Sequence, residues 1–312
     1  MVNVALVGVG NHSIENHAPA LRRYAREHPE TVRLAAVCDL DEAKAEKARD
    51  DYGFARSYTS VEAMLGAETI EAAVAVVPIA AILDVARPFL ARRIPVVVEK
   101  PPGQSLAEAR ELAEAAAGAE VMVSLNRRFD PAVARARRWL EGRGPMRALH
   151  GSMVRHRRTE EAFLWGTAVH LLDLMCFMAG PLRLRGTAAR VPSQGGSSRV
   201  ALLVGEGGVA ASVHVLPCGG RREERLRIVG DGWCVDVWTG YMHPWRVEVW
   251  EGDRPVLSEM AKADEPMFVR NGSWNETVAF LGAVVAGAPL PGPSVEDALP
   301  GMELAAALAE VE

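Results

Sequence analysis

The chain opens directly into an apolar strand that ends in two closely spaced glycines. The run from Val4 to Val7 is followed at once by Gly8 and Gly10. Glycines at this point allow a tight turn and a close approach of backbone amides to a ligand, and the next helix favours negative charge at its N-terminus. The pattern therefore predicts a phosphate-binding turn. An ordinary strand-to-helix turn is the alternative, because Ser13 replaces the third glycine of the GxGxxG pattern.

Apolar runs alternate with helical patterns from residue 3 to about residue 125. Strands are predicted near residues 3 to 8, 33 to 38, 73 to 77, 95 to 99 and 121 to 125. The segments between them, rich in Ala, Glu, Leu and Arg, are predicted helices at 14 to 27, 41 to 52, 61 to 65, 80 to 91 and 105 to 117. Right-handed crossovers give a doubly wound parallel sheet, so residues 1–124 are expected to form a Rossmann domain.

The alternation stops after Asn126, and a second domain is predicted over residues 125–312. Its predicted helices are 131 to 141, 167 to 179, 273 to 286 and 295 to 311. Its predicted strands include 146 to 154, 200 to 204, 209 to 215, 225 to 229 and 246 to 250. Neighbouring strands joined by Gly-rich turns indicate antiparallel pairing. The expected fold class is therefore α/β, with a Rossmann sheet followed by an α+β domain that has a mostly antiparallel, open sheet.

Composition narrows the classes of partner. The length of 312 residues exceeds the usual size of one hydrophobic core, which agrees with two domains. A formal net charge of -5 gives no general attraction to nucleic acid, and no apolar run approaches the roughly 20 residues of a membrane span. The four cysteines form no CxxC pair and no His, Cys, Asp or Glu cluster has ligand spacing, so no metal is expected. Because Met1 leads straight into the first strand without a secretory leader, we expect a cytoplasmic protein that acts on a small molecule.

An aspartate ends the second predicted strand. Asp39 follows an apolar run and lies about thirty residues after the glycine turn. A carboxylate there can accept hydrogen bonds from a ribose diol and would repel a 2′-phosphate, so it favours NAD over NADP. Capping of the following helix is the alternative role, and the two roles can coexist.

A lysine follows the fourth predicted strand of the Rossmann domain. Lys100 comes after the apolar run Val96 to Val98 and Glu99, and Pro101 follows it. It should therefore emerge at the carboxyl end of a central strand, where open α/β sheets bind their ligands. In a partly desolvated site its ammonium could stabilise a developing alkoxide or carry a hydroxyl proton. A solvated surface lysine is the alternative.

Several polar residues of the second domain are candidates for substrate contact. His170 lies on an otherwise apolar helix and can act as an acid or base, with a satisfied interior histidine as the alternative. Asp173, three residues further on, can orient it. Arg155 could attract a carboxylate or phosphate and Trp165 could stack on a sugar ring, but a solvated strand edge and a packing role are the alternatives. Asn126 could contact the nicotinamide ribose or the substrate.

Four motifs together resemble the Gfo/Idh/MocA family of nicotinamide-dependent oxidoreductases over nearly the whole chain. They are Gly8-Val9-Gly10 with His17 and Leu21 downstream, Glu99-Lys100-Pro101, Asn126-Arg127-Arg128-Phe129-Asp130-Pro131, and His170-Leu171-Leu172-Asp173. The resemblance implies that Lys100 lies beside the nicotinamide in a cis Lys100-Pro101 peptide, and that His170 reaches the substrate from the second domain. It also implies homodimers or homotetramers formed through the open sheet. The residues then expected to bind the cofactor are Gly8, Gly10, Asn11, His12, Ser13, Asp39, Pro78, Glu99, Lys100 and Asn126.

Three residues depart from the family's pattern. Gly166 stands four residues before His170, where members that oxidise sugars or polyols commonly carry an aspartate. Ser13 replaces the third glycine, and Ile82 stands where many relatives have a histidine. The missing carboxylate would sit one helical turn from His170, so its loss bears on substrate class and catalytic efficiency more than on the fold.

These observations lead to one main hypothesis and two alternatives. The main hypothesis is an NAD(P)-dependent oxidoreductase that interconverts a secondary alcohol and a ketone on a sugar, polyol or derivative, with Lys100 and His170 as catalytic residues. The first alternative is a dinucleotide-binding sensor or regulatory protein with little catalysis. The second, suggested by the same family, is glycoside cleavage through transient oxidation of the sugar by bound NAD.

Overall fold

The structure is a computed structural model that describes residues 1–160, 162–186, 189–193 and 196–310. It divides into two compact units. Unit 1 is Met1–Leu125 with Ser273–Ala298, and unit 2 is Asn126–Gly272 with the described residues from Leu299 onward. The sequence placed the segment 273–298 in the second domain, whereas in the structure it packs with the first.

The described residues form the following strands and α-helices, given in chain order. The strands are β1 (Val2–Val7), β2 (Val32–Cys38), β3 (Arg56–Tyr58), β4 (Ala72–Ala75), β5 (Val96–Val98), β6 (Val121–Val123), β7 (Met146–Val154), β8 (Leu182–Leu184), β9 (Ala189–Ser193), β10 (Gly196–Gly205), β11 (Ala210–Leu216), β12 (Glu223–Gly230), β13 (Trp233–Trp238), β14 (Arg246–Glu251) and β15 (Arg254–Met260). The α-helices are α1 (Ala18–Glu27), α2 (Glu42–Tyr52), α3 (Val61–Ala67), α4 (Ile82–Leu90), α5 (Leu106–Ala115), α6 (Pro131–Leu140), α7 (Val169–Ala179), α8 (Met267–Arg270), α9 (Ser273–Ala286) and α10 (Val295–Ala309). The predicted end of the last helix at Val311 lies outside the described residues.

Unit 1 contains a six-stranded parallel sheet in the order β3-β2-β1-β4-β5-β6. The strand order reverses between β1 and β4, which is where doubly wound sheets bind their ligands. Side chains cap the N-termini of three crossover helices. Asp41 accepts a hydrogen bond from the backbone amide of Lys44, Ser60 from that of Ala63, and Ser105 from that of Glu108. The predicted Rossmann sheet is confirmed, and β3 is a short edge strand that the sequence pattern did not indicate.

Unit 2 contains a nine-stranded sheet in the order β15-β14-β13-β12-β7-β11-β10-β8, with β9 beside β10. All pairs are antiparallel except β7 with β11. A parallel pair needs a crossover, and here the chain passes through α7 and three further strands before it returns as β11. The core of this unit packs buried side chains of α6, α7 and α10 with alternate residues of the strands. The expected mostly antiparallel sheet is confirmed.

Among the described residues, each helix is too short or too polar to traverse a lipid bilayer.

Candidate active site

The glycine turn at the end of β1 depends on its two glycines for different reasons. Gly8 has φ +84, and a Cβ there would lie 2.1 Å from the carbonyl oxygen of Val76. This close approach to the segment after β4 excludes any side chain at position 8. At Gly10 a Cβ would have no heavy atom within 4 Å, so the backbone there borders open space. The turn is therefore closed towards the sheet and open on the other side.

A helix follows the turn directly. Residues 11 and 12 are helical, Ser13–His17 form a π-helical segment, and α1 continues from Ala18. Ser13, at the third glycine position, is buried, and within the described part of the chain its hydroxyl has no hydrogen-bond partner. π-Helical segments occur frequently at functional sites. Asn11 and His12 lie on the exposed side of this first turn.

A cavity of about 620 Å³ opens beside the turn at the carboxyl ends of β1, β2 and β4. Gly8, Gly10, Asp39 and Pro78 line it, so four of the residues expected to bind the cofactor meet in one place. Glu62 and Asp84 add two more carboxylates to its wall. Among the described residues that line the cavity, none is lysine or arginine. The charged side chains among these lining residues are therefore all carboxylates.

Asp39 is held firmly by backbone amides. Its carboxylate accepts hydrogen bonds from Val9 N at 2.8 Å and from Asp41 N at 3.0 Å. The cap of α2 is Asp41, whose carboxylate accepts from Lys44 N. Asp39 is thus pinned between the glycine turn and the α2 N-terminus, with its carboxylate at the cavity wall.

Lys100 stands just beyond β5, the strand between β4 and β6. Its side chain is half-buried, and the Lys100-Pro101 peptide is cis, as the family resemblance implied. The parallel strands end at one edge of the sheet, so Lys100 lies at the same edge as the glycine turn and Asp39.

Glu99, which is buried, contacts two histidines of the helix after the turn, the buried His17 and the exposed His12. Glu99 Oε1 lies 3.0 Å from His17 Nε2 and 3.3 Å from His12 Nε2. Burial alone would raise the pKa of Glu99, but the hydrogen bonds and charges of the two imidazoles bring that pKa well below its usual range. Their three ligand atoms lie within 4.8 Å of one another, a grouping that could also hold a metal ion. The sequence pattern did not indicate this cluster, and it led to the expectation of no metal.

His170 occupies the first turn of α7 in unit 2, and its side chain is buried. A π-helical segment, Leu164–Ala168, precedes α7 and contains both Trp165 and Gly166. A Cβ at Gly166 would have no heavy atom within 4 Å, so the position that lacks the family's aspartate borders open space. Trp165 is partly buried and packs against the unit 2 core.

Asp173 is buried one turn further along α7 and is paired with an arginine. Its two carboxylate oxygens accept from Arg128 at 2.6 and 3.0 Å, a bidentate arrangement. Asp173 therefore anchors the segment after β6 to α7. Its sequence-predicted role, contact with the substrate, gains no support from this pairing.

Arg155 requires a correction, since the sequence proposed it as an accessible anion-binding group. Its side chain is 2% exposed and pairs with the buried carboxylate of Glu224. Arg127 binds the same carboxylate at 2.9 and 3.0 Å. Burial raises the pKa of Glu224, but the two guanidinium groups lower it to about 2. Arg155 is therefore one of two buried arginines that share the Glu224 carboxylate.

Asn126 is also turned inward within unit 2. Its amide nitrogen donates to Asn271 O at 3.0 Å, and its amide oxygen accepts from Arg127 at 3.0 Å. Both ends of the side chain thus help to order the start of unit 2. Contact with a ribose or a substrate remains a prediction.

Comparisons with known proteins give a family match and two curated relatives. Residues 2–127 match the GFO_IDH_MocA model, described as an oxidoreductase family with an NAD-binding Rossmann fold. A D-apiose dehydrogenase of Paraburkholderia graminis is 28% identical over 236 residues, which are 67% of this chain and 59% of that protein. An inositol 2-dehydrogenase of Corynebacterium glutamicum is 25% identical over 188 residues, 57% of this chain and 54% of that protein.

The matched regions thus span somewhat more than half of each curated relative. Similarity in fold to a solved structure extends over the whole chain. A crystal structure of a dehydrogenase from Chromobacterium violaceum superimposes with a TM-score of 0.87 at 19% identity, and covers 100% of this chain and 95% of that one.

Proposed function

We propose that this chain, whose residues 2–127 match the Gfo/Idh/MocA oxidoreductase family, interconverts a secondary alcohol and a ketone on a sugar, polyol or related small polar molecule, with NAD as cofactor. The observation that carries the proposal is the cavity of unit 1, where the glycine turn and Asp39 meet at the reversal of strand order. The names of the two curated relatives, a sugar and a polyol dehydrogenase, support this class of substrate.

The cavity supports NAD rather than NADP. The open space beside Gly10 leaves room for a pyrophosphate against the backbone amides of the turn. The Asp39 carboxylate, pinned by two amides, is placed to accept hydrogen bonds from a ribose diol. Glu62 and Asp84 would repel a 2′-phosphate further.

Lys100 is the proposed catalytic residue of unit 1. When bound, NAD supplies the hydride acceptor, and the protein must then manage the hydroxyl proton and the charge on the oxygen. The half-buried ammonium of Lys100, at the ligand-binding edge of the sheet, can hydrogen-bond that oxygen and stabilise its negative charge.

His170 is the proposed catalytic residue of unit 2. A buried imidazole at the beginning of a helix can take or return a proton near neutral pH. The family's aspartate would assist it from position 166, and glycine supplies no such group. We therefore expect slower proton transfer than in relatives that carry the carboxylate.

The open sheet of unit 2 is the proposed surface for a homodimer or homotetramer. Leu202, Trp250, Val256 and Met260 are exposed large side chains on its strands. Light scattering after size-exclusion chromatography should give a mass of two or four chains. A monomer at micromolar concentration contradicts this part of the proposal.

The test of the proposed function begins with binding and ends with turnover. NADH should bind with a 1:1 stoichiometry and gain fluorescence, and NADPH should bind more weakly. NAD reduction should then follow with at least one member of a panel that includes D-apiose, myo-inositol and other sugars and polyols, and should be lost in Lys100→Ala. Unchanged turnover in Lys100→Ala contradicts the assignment.

A second candidate is a dinucleotide-binding sensor with little catalysis, and glycine at position 166 favours it. Tight NADH binding without hydride transfer to any member of a broad panel supports the sensor over the enzyme.

A further inference from the structure

We propose that Glu99 is a positioning residue, whose carboxylate ties the helix after the glycine turn to the strand end that carries Lys100. The proposal deepens the function proposed above and rests on it, since it assigns to one carboxylate the alignment of the phosphate-binding turn with the catalytic lysine. Glu99 itself is buried after β5 and belongs to unit 1 together with all its partners named here.

Three N–H groups converge on this carboxylate. His17 Nε2 and His12 Nε2 lie 3.0 and 3.3 Å from Oε1, and the backbone amide of Lys100 donates to Oε2 at 3.3 Å. An ionised carboxylate only accepts hydrogen bonds, so each imidazole must present a protonated nitrogen to it. Two donors come from the helix after the turn and one from the end of β5. One side chain thus joins two segments that are 82 residues apart.

Asn16 determines which nitrogen of His12 carries the proton. The Asn16 amide nitrogen donates to the backbone oxygen of His12 at 3.1 Å and lies 3.2 Å from His12 Nδ1. An amide NH₂ offers only hydrogens, so Nδ1 is assigned as the acceptor and the ring proton lies on Nε2, directed at Glu99. A metal ion would need the lone pair of that same Nε2. The arrangement therefore favours a proton-bridged carboxylate over a metal site.

The π-helical segment brings the two histidines to the same side. In an α-helix, residues five apart point about 140° away from each other, because each residue turns by about 100°. The wider turn at Ser13–His17 reduces this difference, and the rings of His12 and His17 lie 5.5 Å apart, edge to face. The local irregularity of the helix is thus coupled to the shared contact with Glu99.

Glutamine cannot replace Glu99 in this role. If its amide oxygen faced the two imidazoles, its NH₂ group would face the Lys100 amide. If it were reversed, the NH₂ group would face two N–H donors. One side of the cluster must then separate, and at the buried His17 water cannot freely replace a lost acceptor. Lowering of the Glu99 pKa by both imidazoles agrees with an anion that is required at neutral pH.

The experiment compares Glu99→Gln with a matched control, Glu71→Gln. The Glu71 carboxylate also accepts a backbone amide, Asn3 N at 3.0 Å, but at an exposed site. Two readouts are taken on full-length protein: the dissociation constant of NADH by fluorescence, and hydrogen–deuterium exchange, without cofactor, of the peptides that contain His12 to His17 and Lys100. Glu99→Gln should weaken NADH binding at least tenfold. It should also speed exchange in at least one of these peptides, because glutamine cannot accept both from the imidazoles and from the Lys100 amide. The control should leave both unchanged.

A second pair of variants keeps the test independent of the stability of Glu99→Gln. His17→Gln retains an N–H donor at the same reach, whereas His17→Leu removes it. NADH affinity should be near wild type in the first and at least tenfold weaker in the second. Equal affinity in the two variants overturns the proposal.

Two further outcomes separate this proposal from its alternatives. One equivalent of transition metal in the purified chain, lost in His12→Asn, overturns the proton-bridged carboxylate. Wild-type protein that binds no NADH overturns the proposed function. Hydrogen–deuterium exchange in Glu99→Gln, measured without cofactor, still tests whether Glu99 joins the two segments. Unchanged exchange in both peptides of Glu99→Gln refutes that role.

Discussion

Replacing Gly8 or Gly10 of the turn by alanine, one at a time, should show that the first is needed for the fold and the second for cofactor binding. Gly8 has φ +84, and its Cβ would lie 2.1 Å from a backbone oxygen and 2.9 Å from a backbone carbon of Val76. Gly10 has neither constraint, since its Cβ would have nothing within 4 Å. Gly8→Ala should therefore destabilise unit 1. Gly10→Ala should preserve the fold and obstruct the approach of a pyrophosphate to the turn.

The magnitudes follow from these two environments. A non-glycine residue at the backbone angles of Gly8 costs about 1–2 kcal/mol, and the backbone shift that relieves the clash adds about 1–3 kcal/mol. The free energy of unfolding should therefore fall by about 2–5 kcal/mol, which corresponds to a melting temperature lower by roughly 5–15 °C. For Gly10→Ala the melting temperature should stay within about 2 °C, while a 10- to 100-fold weaker affinity for NADH corresponds to about 1.4–2.7 kcal/mol.

Two measurements on each variant, calorimetric unfolding and NADH titration, test this reasoning. Gly66→Ala in α3 is the control, because its Cβ would also have nothing within 4 Å and it lies outside the turn. It should bind NADH normally and be as stable as wild type or slightly more so. If Gly10→Ala binds NADH as tightly as Gly66→Ala, the pyrophosphate does not bind against the backbone of Gly10.

Three other perturbations test separate parts of the account. A Cβ at position 166 has open space around it, so Gly166→Asp should be accommodated. It should raise kcat on an identified substrate at least about tenfold with little change in NADH affinity. An unchanged kcat contradicts the inference that a carboxylate at this position assists His170. Asp39→Ala should weaken NADH and raise the affinity ratio of NADPH to NADH roughly tenfold in competitive titrations, and an unaltered ratio rules out Asp39 as the discriminator. Glu224→Gln removes the negative charge that pairs with two buried arginines. The free energy of unfolding, measured with urea, should fall by about 3–5 kcal/mol. Because the folded pKa of Glu224, about 2, is below its unfolded value, wild type should lose this stabilisation as pH falls from about 4.5 to about 2, and Glu224→Gln should lack that loss.

Hydrophobic periodicity was sufficient to predict the parallel sheet and several element bounds. The strand at 146–154 and the helix at 273–286 have the predicted limits, because each is a regular pattern bounded by turn residues. The three-residue edge strand β3 was missed, since Arg56 to Tyr58 is too short and too polar to show alternation. Which unit the 273–286 helix joins depends on tertiary contacts such as Ser124 Oγ to Glu276 at 2.9 Å, which local sequence does not encode.

The candidate site, like the fold, was predicted from the sequence only in part. Motif spacing placed the glycine turn, Asp39 and Lys100 at the ends of strands, and parallel pairing then brings those ends to one edge. The Glu99 cluster was not foreseen, because an α-helical period puts His12 and His17 on different sides and their partner is 82 residues from His17. Burial of Arg155 was missed for a related reason, since its partner Glu224 lies 69 residues away.

The most direct test of the central claim is a crystal structure of the chain grown with NAD. The adenosine ribose hydroxyls should lie within hydrogen-bond distance of the Asp39 carboxylate, and the pyrophosphate should lie against the backbone of Gly10. A dinucleotide bound away from the unit 1 cavity, or bound there in the reverse orientation with its nicotinamide at Asp39, would contradict it.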